Sequence, residues 1–346
     1  MKYSRNQLNK SGDILIGQDP FKRQEAFDMV TDWRQSHLFV LQEIYDELTI
    51  LLKNNGIPFA FSSHRIKRMQ SIIEKLKNNE QRRMKLGGLH DIGGVRFVFD
   101  DLQTLKQADT LILQFQPKNF LLEKTYDYVS SPKDSGYKSI HFVYKYISSD
   151  NTYDGLHVEL QIRTKLQHCW AMAVETASLI SNTSLKASLN DGSVWREFFR
   201  LVSAIFSNKE QSPVLKQYAD LNDDQLCVLY YHYLVNLKLV DTLKALRVSV
   251  NYDKHSSDNG FCVLIINFKR RIVNFKYFSS EEEALASETF TNMERMITSE
   301  EAALMVSMRK LKELQMAYSS YFLDTELFIE NLNSFESNCK YEYLKD

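Results

Sequence analysis

In His157-Val-Glu-Leu-Gln-Ile-Arg163 apolar and polar residues alternate without a break, and no other stretch constrains the chain as tightly. A period of two predicts a strand with Val158, Leu160 and Ile162 on one face and His157, Glu159, Gln161 and Arg163 on the other. Burying such polar groups without partners costs on the order of several kcal/mol each, so that face must meet water or a polar ligand. A second strand is expected in Asp91-Ile-Gly-Gly-Val-Arg-Phe-Val-Phe99, where a glycine pair after an acid feeds β-branched and aromatic residues. Each strand then delivers one carboxylate, Asp91 or Glu159, to a common cleft. Between them, Asp127-Tyr-Val-Ser-Ser-Pro-Lys-Asp-Ser-Gly-Tyr-Lys-Ser-Ile-His-Phe142 reads as a turn-rich loop entering a third strand.

Lys and Arg number 43 against 44 Asp and Glu, so an anion-binding surface must be local. Residues 64–85 are dominated by Arg and Lys, and 279–301 are acidic. No apolar run approaches the roughly 20 residues of a membrane span, and there is no apolar signal core, so a cytoplasmic protein without membrane association is expected. Cys169, Cys227, Cys262 and Cys339 are scattered and show no C-x-x-C spacing, which suggests reduced thiols. His232 near Cys227 lacks the second ligand pair of a zinc site.

Apolar residues at threes and fours predict a helix over 21–54, ended by Asn54, Asn55 and Gly56. A second helix is expected from His64, with Ile66, Met69, Ile72, Ile73 and Leu76 buried. On it Lys67, Ser71 and Lys75 recur at i, i+4 and i+8, flanked by Arg65 and Arg68. That stripe is either a polyphosphate cradle or a solvated basic face. The dipeptide His90-Asp91 also occurs in metal-dependent HD phosphohydrolases, which need further His and Asp ligands from other helices; here it precedes a strand. Helices over 101–115 and 165–181 and strands over 117–127 and 138–146 complete an α/β or α+β unit with helices on a mixed sheet. Residues 190–245 read as helical. Leu246–Tyr252, Phe261–Phe268 and Ile272–Phe278 predict a small antiparallel sheet, with a helix over 279–297 and an ambiguous 302–310 after it.

Four motifs in this order resemble the RelA/SpoT-type nucleotidyltransferase domain of alarmone synthetases. They are the Arg65–Leu76 segment, Asp91-Ile-Gly-Gly-Val-Arg96, Tyr128–His141 with its Pro-Lys and Gly-Tyr-Lys-Ser-Ile-His, and Glu159-Leu-Gln-Ile-Arg-Thr164. The resemblance implies transfer of the β,γ-pyrophosphate of ATP to a ribose 3′-hydroxyl, with Mg2+. It assigns Asp91 to the metal, and Glu159 to assisting the metal and activating the hydroxyl. Arg65, Lys67, Arg68, Ser71 and Lys75 would grip ATP phosphates. Tyr137 would stack on the acceptor base, with Lys133 and His141 on the same wall, and Gln161 and Arg163 would orient acceptor or phosphate. Arg96 is either part of that site or a structural partner for an acid. His168, Trp170 and Glu175 would serve packing. Fewer than 55 residues precede this domain, too few for the hydrolase domain of two-activity relatives.

The C-terminal third, with Tyr318-Ser-Ser-Tyr-Phe-Leu-Asp324, is similar to the fused toxin–antitoxin branch of toxic small alarmone synthetases. That resemblance implies a zinc-finger-like fold without its metal, whose Tyr318 and Tyr321 close over the ATP site. It also implies tRNA 3′-CCA ends as acceptor, and release by a phage protein. The expected division is an N-terminal helical segment (1–54), a pyrophosphotransferase domain (55–205), a helical connector (206–245) and a regulatory domain (246–346). The alternatives are a (p)ppGpp synthetase acting on GDP or GTP and a non-catalytic nucleotide sensor.

Overall fold

A computed structural model describes residues 2–17, 20–78, 85–150, 152–181, 194–237, 249–250, 260–267, 272–296, 301–308 and 326–339. Arg82 and Arg83 of the basic 64–85 stretch, and Tyr318 and Tyr321, lie outside the described residues.

The central sheet has the order β1-β2-β5-β4-β3, built from β1 (Phe61–Ile66), β2 (Gly93–Phe99), β3 (Phe120–Asp127), β4 (Ile140–Tyr146) and β5 (His157–Thr164). Only β2 and β5 run parallel, with Gly94 beside Glu159 and Arg96 beside Gln161; the other pairs are antiparallel. Val95, Phe97, Phe99, Val158, Leu160 and Ile162 make a solvent-free face against α2 (Pro20–Asn54) and α4 (Leu102–Gln114). The alternation in the Glu159 segment therefore sorts as expected. Gly93 permits α2 to approach: a Cβ there would stand 3.1 Å from Leu41 Cγ. A short helix, α1 (Arg5–Ile16), opens on a Ser4 capping box and buries Leu8 and Leu15.

The helix expected from His64 does not form there. Residues Phe61–Ile66 are spent as β1, in six-residue register with β2, and α3 (Met69–Asn78) starts only after Lys67 and Arg68. Ile66, Met69, Ile72, Ile73 and Leu76 are all buried as expected, but Ile66 reaches the core from a strand end. Arg65 therefore projects from a strand, Lys67 sits in the turn, and only Ser71 and Lys75 share a helix face.

The domain continues with α5 (Lys165–Ser181), α6 (Val194–Glu210) and α7 (Asp223–Leu237). Trp170 donates its indole N–H to the Phe199 carbonyl, locking α5 to α6. Farther on, the C-terminal sheet has the order β6-β8-β7-β9, from β6 (Ser249–Val250), β7 (Gly260–Asn267), β8 (Ile272–Ser279) and β9 (Glu301–Met308). It is mixed, not purely antiparallel, because β6 runs parallel to β8; its fourth strand is the stretch whose sequence was ambiguous. Helix α8 (Glu283–Met296) packs on it through Ala286, Phe290 and Met293 against Val263 and Phe278.

The last helix, α9 (Glu326–Asn338), packs back on α6 and α7: Phe328 meets Phe199 and Phe206, and Phe335 meets Tyr230. This packing brings Cys339 to Cys227 at a Cα separation of 5.6 Å, and the two form a disulfide across 112 residues. The expectation of reduced thiols is corrected for this pair, since spacing along a chain does not report adjacency between helices. Cys169 is free and buried, with its thiol pushed up to about 12 by burial. Among the described residues no helix is long and apolar enough to cross a membrane.

Cross-linking residues this far apart restricts the unfolded chain, so Cys227→Ser is expected to lower unfolding stability by about 2–4 kcal/mol. Urea denaturation with and without dithiothreitol measures it: reductant should destabilise the wild type and leave the variant unmoved.

Candidate active site

Gly94 leaves the polar side of β2 open beside Glu159, and the cleft there is lined by Ser63, Arg65, Lys67, Asp91, Arg96, Glu159 and Gln161. It is narrow, about 80 Å³. A shallower groove of about 750 Å³ runs along α4, but Lys106 and Glu210 are its only charged lining residues. The charge density makes the smaller cleft the candidate site.

The turn after β1 is tied to the loop before β2 by Lys67 N–H donating to the Ile92 carbonyl at 2.7 Å. This sets the Lys67 ammonium 2.9 Å from Asp91 Oδ2, and Lys75 reaches the same oxygen from α3 at 2.7 Å. Burial alone would raise the Asp91 pKa, but the two ammonium charges outweigh it and hold the carboxyl at about 2, against an ordinary 3.8. The other oxygen, Asp91 Oδ1, is buried and accepts no hydrogen bond among the described residues. Across the cleft, Gln161 donates to Glu159 Oε1 at 2.5 Å, and His141 Nδ1 lies 3.4 Å from Oε2. Burial opposes the Glu159 charge too, yet the bonds from His141 and Gln161 lower its pKa, so it stays ionised at neutral pH. His141 Nε2 is 2.8 Å from the Tyr137 hydroxyl. A tautomer with the proton on Nδ1 satisfies both contacts, linking Tyr137, His141 and Glu159 in series.

An arginine cluster begins in the cleft lining, with Arg65 and Arg96, and extends behind it. Arg65, Arg68, Arg96 and Arg163 all act on Glu175 of α5, where their charges outweigh burial and hold its carboxyl below the ordinary range. Arg163 is 1% exposed, and its Nε and Nη2 donate no hydrogen bond among the described residues. Four guanidiniums around one carboxylate give this corner of the described residues a positive field, with Arg163 fully buried and the other three half-buried.

The cleft lining itself includes Arg65, Lys67, Asp91, Glu159 and Gln161 of the expected residues, and Arg96 as well. Lys75 joins through Asp91, His141 through Glu159, Tyr137 through His141, and Arg68 and Arg163 through Glu175. Lys133 sits over the Tyr137 ring at 5.2 Å. Ser71 is half-buried on α3 outside the cleft lining. Glu175 differs from its packing expectation, because it is the counter-charge of the arginine cluster. Sequence reasoning missed Arg34, which is fully buried on α2 and donates Nε–H to the Lys67 carbonyl at 2.9 Å. The available signal was a basic residue at i+4 from Val30, on the apolar stripe of an amphipathic helix.

Residues 64–180 match the family described as the region found in RelA / SpoT proteins. Over this segment, about a third of the chain, the sequence is similar to that family. GTP pyrophosphokinase YjbM of Bacillus subtilis is 31% identical over 118 residues, 33% of this chain and 54% of YjbM. The match thus spans about half of that relative's length. GTP pyrophosphokinase YwaC of the same organism is 24% identical over 176 residues, 47% of this chain and 82% of YwaC. Among solved structures, small alarmone synthetase 1 from Bacillus subtilis bound to its product pppGpp aligns with a TM-score of 0.44 at 20% identity, covering 55% of this chain and 94% of that one.

For magnesium, the residues of the cleft fit. A hard cation on a polyphosphate takes one or two carboxylates and leaves the remaining positions to water and phosphate. Asp91 Oδ1 is a buried, unpartnered anionic oxygen of that kind. No group of three or more potential metal-binding side chains occurs among the described residues, and none is needed for such a site.

The depressed Asp91 pKa sets an acid limit on stability. The unfolded chain takes up this proton near 3.8 and the folded protein only near 2, so the contribution is complete above about pH 4 and lost as pH falls through about 2. It amounts to on the order of 2 kcal/mol. Denaturant titrations across that window should show the wild type losing about this much more than Asp91→Asn; equal losses would contradict the double lysine clamp.

Proposed function

We propose that this protein transfers the β,γ-pyrophosphate of ATP to a ribose 3′-hydroxyl, with the 3′-CCA end of tRNA as acceptor. The observation that carries the transfer reading is the pairing of two ionised carboxylates with a concentration of cationic side chains in one cleft. A nucleoside triphosphate supplies the anionic charge that Glu175 alone cannot. On its arrival Lys67 and Lys75 exchange Asp91 for phosphate oxygens, which also widens the narrow cleft, while Arg65, Arg68, Arg96 and Arg163 face the polyphosphate from behind. Ser71 extends this grip along α3. Asp91 would hold the magnesium ion, which when bound neutralises charge developing on the phosphates.

The acceptor base lies against Tyr137, with Lys133, Gln161 and Arg163 orienting it. Its 3′-oxygen attacks the β-phosphorus, the bond from that phosphorus to the α,β-bridging oxygen breaks, and AMP leaves. Glu159 takes the hydroxyl proton, held in orientation by Gln161 and His141. Retention of both carboxylates argues against a non-catalytic sensor.

A guanine-nucleotide acceptor is the second reading, favoured by the relatives named GTP pyrophosphokinase. In either reading we assign catalysis to residues 55–205 and its restraint to 246–346, with Tyr318 and Tyr321 as the restraining pair. A protein that binds the released form better would be the trigger.

Asp91→Asn and Glu159→Gln are each expected to reduce transfer from γ-labelled ATP by at least about 1,000-fold while leaving the circular dichroism spectrum unchanged. A rate within about 10-fold of wild type in either variant would remove these residues from the mechanism. Incubation with bulk tRNA and with GDP in parallel shows which acceptor becomes labelled.

A further inference from the structure

Tyr137 has a place in the acceptor pocket, but two further rings lead from it to the surface. Tyr128 stands edge-on to Tyr137, with centroids 6.2 Å apart, and edge-on to His141 at 5.3 Å. Tyr126 lies parallel to Tyr128, at 3° between planes and 5.9 Å between centroids. Tyr126 is opposite His141 in the β3–β4 register, so the series begins at the Glu159 partner and ends on the edge strand of the sheet. The Lys133 ammonium sits 4.1 Å from the Tyr128 centroid and 5.2 Å from that of Tyr137, between the inner ring and the outer pair. Asp127 fixes the turn beneath, because its Oδ1 accepts from the amides of Val129 and Ser130, both at 2.9 Å.

Core packing does not account for the outer rings. Tyr126 is 40% exposed, and Tyr128 is half-buried. A mononucleotide needs one stacking surface, whereas a strand of nucleic acid repeats base, phosphate, base. Ring, ammonium, ring is the matching order on the protein, and aromatic stacking tolerates any base because every base has a π face. We propose that Tyr128 and Tyr126 form a stacking ledge for the nucleotides that precede the acceptor nucleotide in an unpaired RNA 3′ end, with Lys133 on the linking phosphate. This deepens the tRNA reading above and rests on it.

The test uses the full chain, a fluorescent single-stranded RNA oligonucleotide ending in CCA, and labelled transfer to bulk tRNA and to GDP. Tyr126→Ala should weaken oligonucleotide binding by about 10-fold, the usual scale for loss of one stacked base. The ratio of kcat/KM for tRNA over GDP should fall by a similar factor through KM, and Tyr126→Phe should restore both because stacking needs the ring and not the hydroxyl. Unchanged oligonucleotide binding in Tyr126→Ala overturns the ledge even where tRNA is labelled. A Tyr126→Phe defect as large as that of Tyr126→Ala overturns stacking as its basis. Label in GDP alone, with ring-dependent oligonucleotide binding intact, overturns the acceptor reading and leaves the ledge standing.

Discussion

The parallel pairing of β2 with β5 is the constraint on which the rest of the structure depends. Its register puts Gly94 beside Glu159 and Arg96 beside Gln161, and it brings the loop carrying Asp91 to the entrance of the same cleft. The pairing holds because one face of both strands is apolar and sealed by α2. Gly93 is what allows that helix so close. Sliding β5 by one residue would send Glu159 into the core, and sliding β2 would send Arg96 there, so burial on one face fixes which side chains the other face presents.

Charge organises the cleft as strongly as geometry does. Asp91 carries two lysines and Glu175 four arginines, while Glu159 is held by neutral or weakly basic donors, Gln161 and His141. The two catalytic candidates are therefore kept ionised by different means. Asp91 is held by charge from Lys67 and Lys75, and Glu159 by hydrogen bonds that do not involve those lysines.

The C-terminal part reaches the same cleft through α2. The Arg34 guanidinium lies over the Phe290 ring of α8 at 5.7 Å while its Nε–H holds the Lys67 carbonyl. Around that contact, Gln35 donates to Ser287 and Arg295 pairs with Asp28. One buried side chain thus joins a phosphate-binding candidate to the C-terminal sheet's helix, with cation–π attraction on one side and a backbone hydrogen bond on the other.

The sequence by itself determined whatever follows from local periodicity. The faces of β5, the helix α2, the glycine-fed strand β2 and the carboxylates Asp91 and Glu159 were legible because side-chain direction repeats every two or about 3.6 residues whatever the partner. Tertiary structure alone decided the remainder. Arg65 belongs to a strand because β2 offers Phe61–Ile66 a complete register, which outweighs a weak helical pattern. Glu175 is a counter-charge because α5 lays it among arginines from β1, β2, β5 and the turn before α3. Cys227 meets Cys339 because Phe335 packs on Tyr230 and Phe328 on Phe199. Each of these outcomes is set by a residue distant in the chain, and the energy that selects it exists only once the two are in contact.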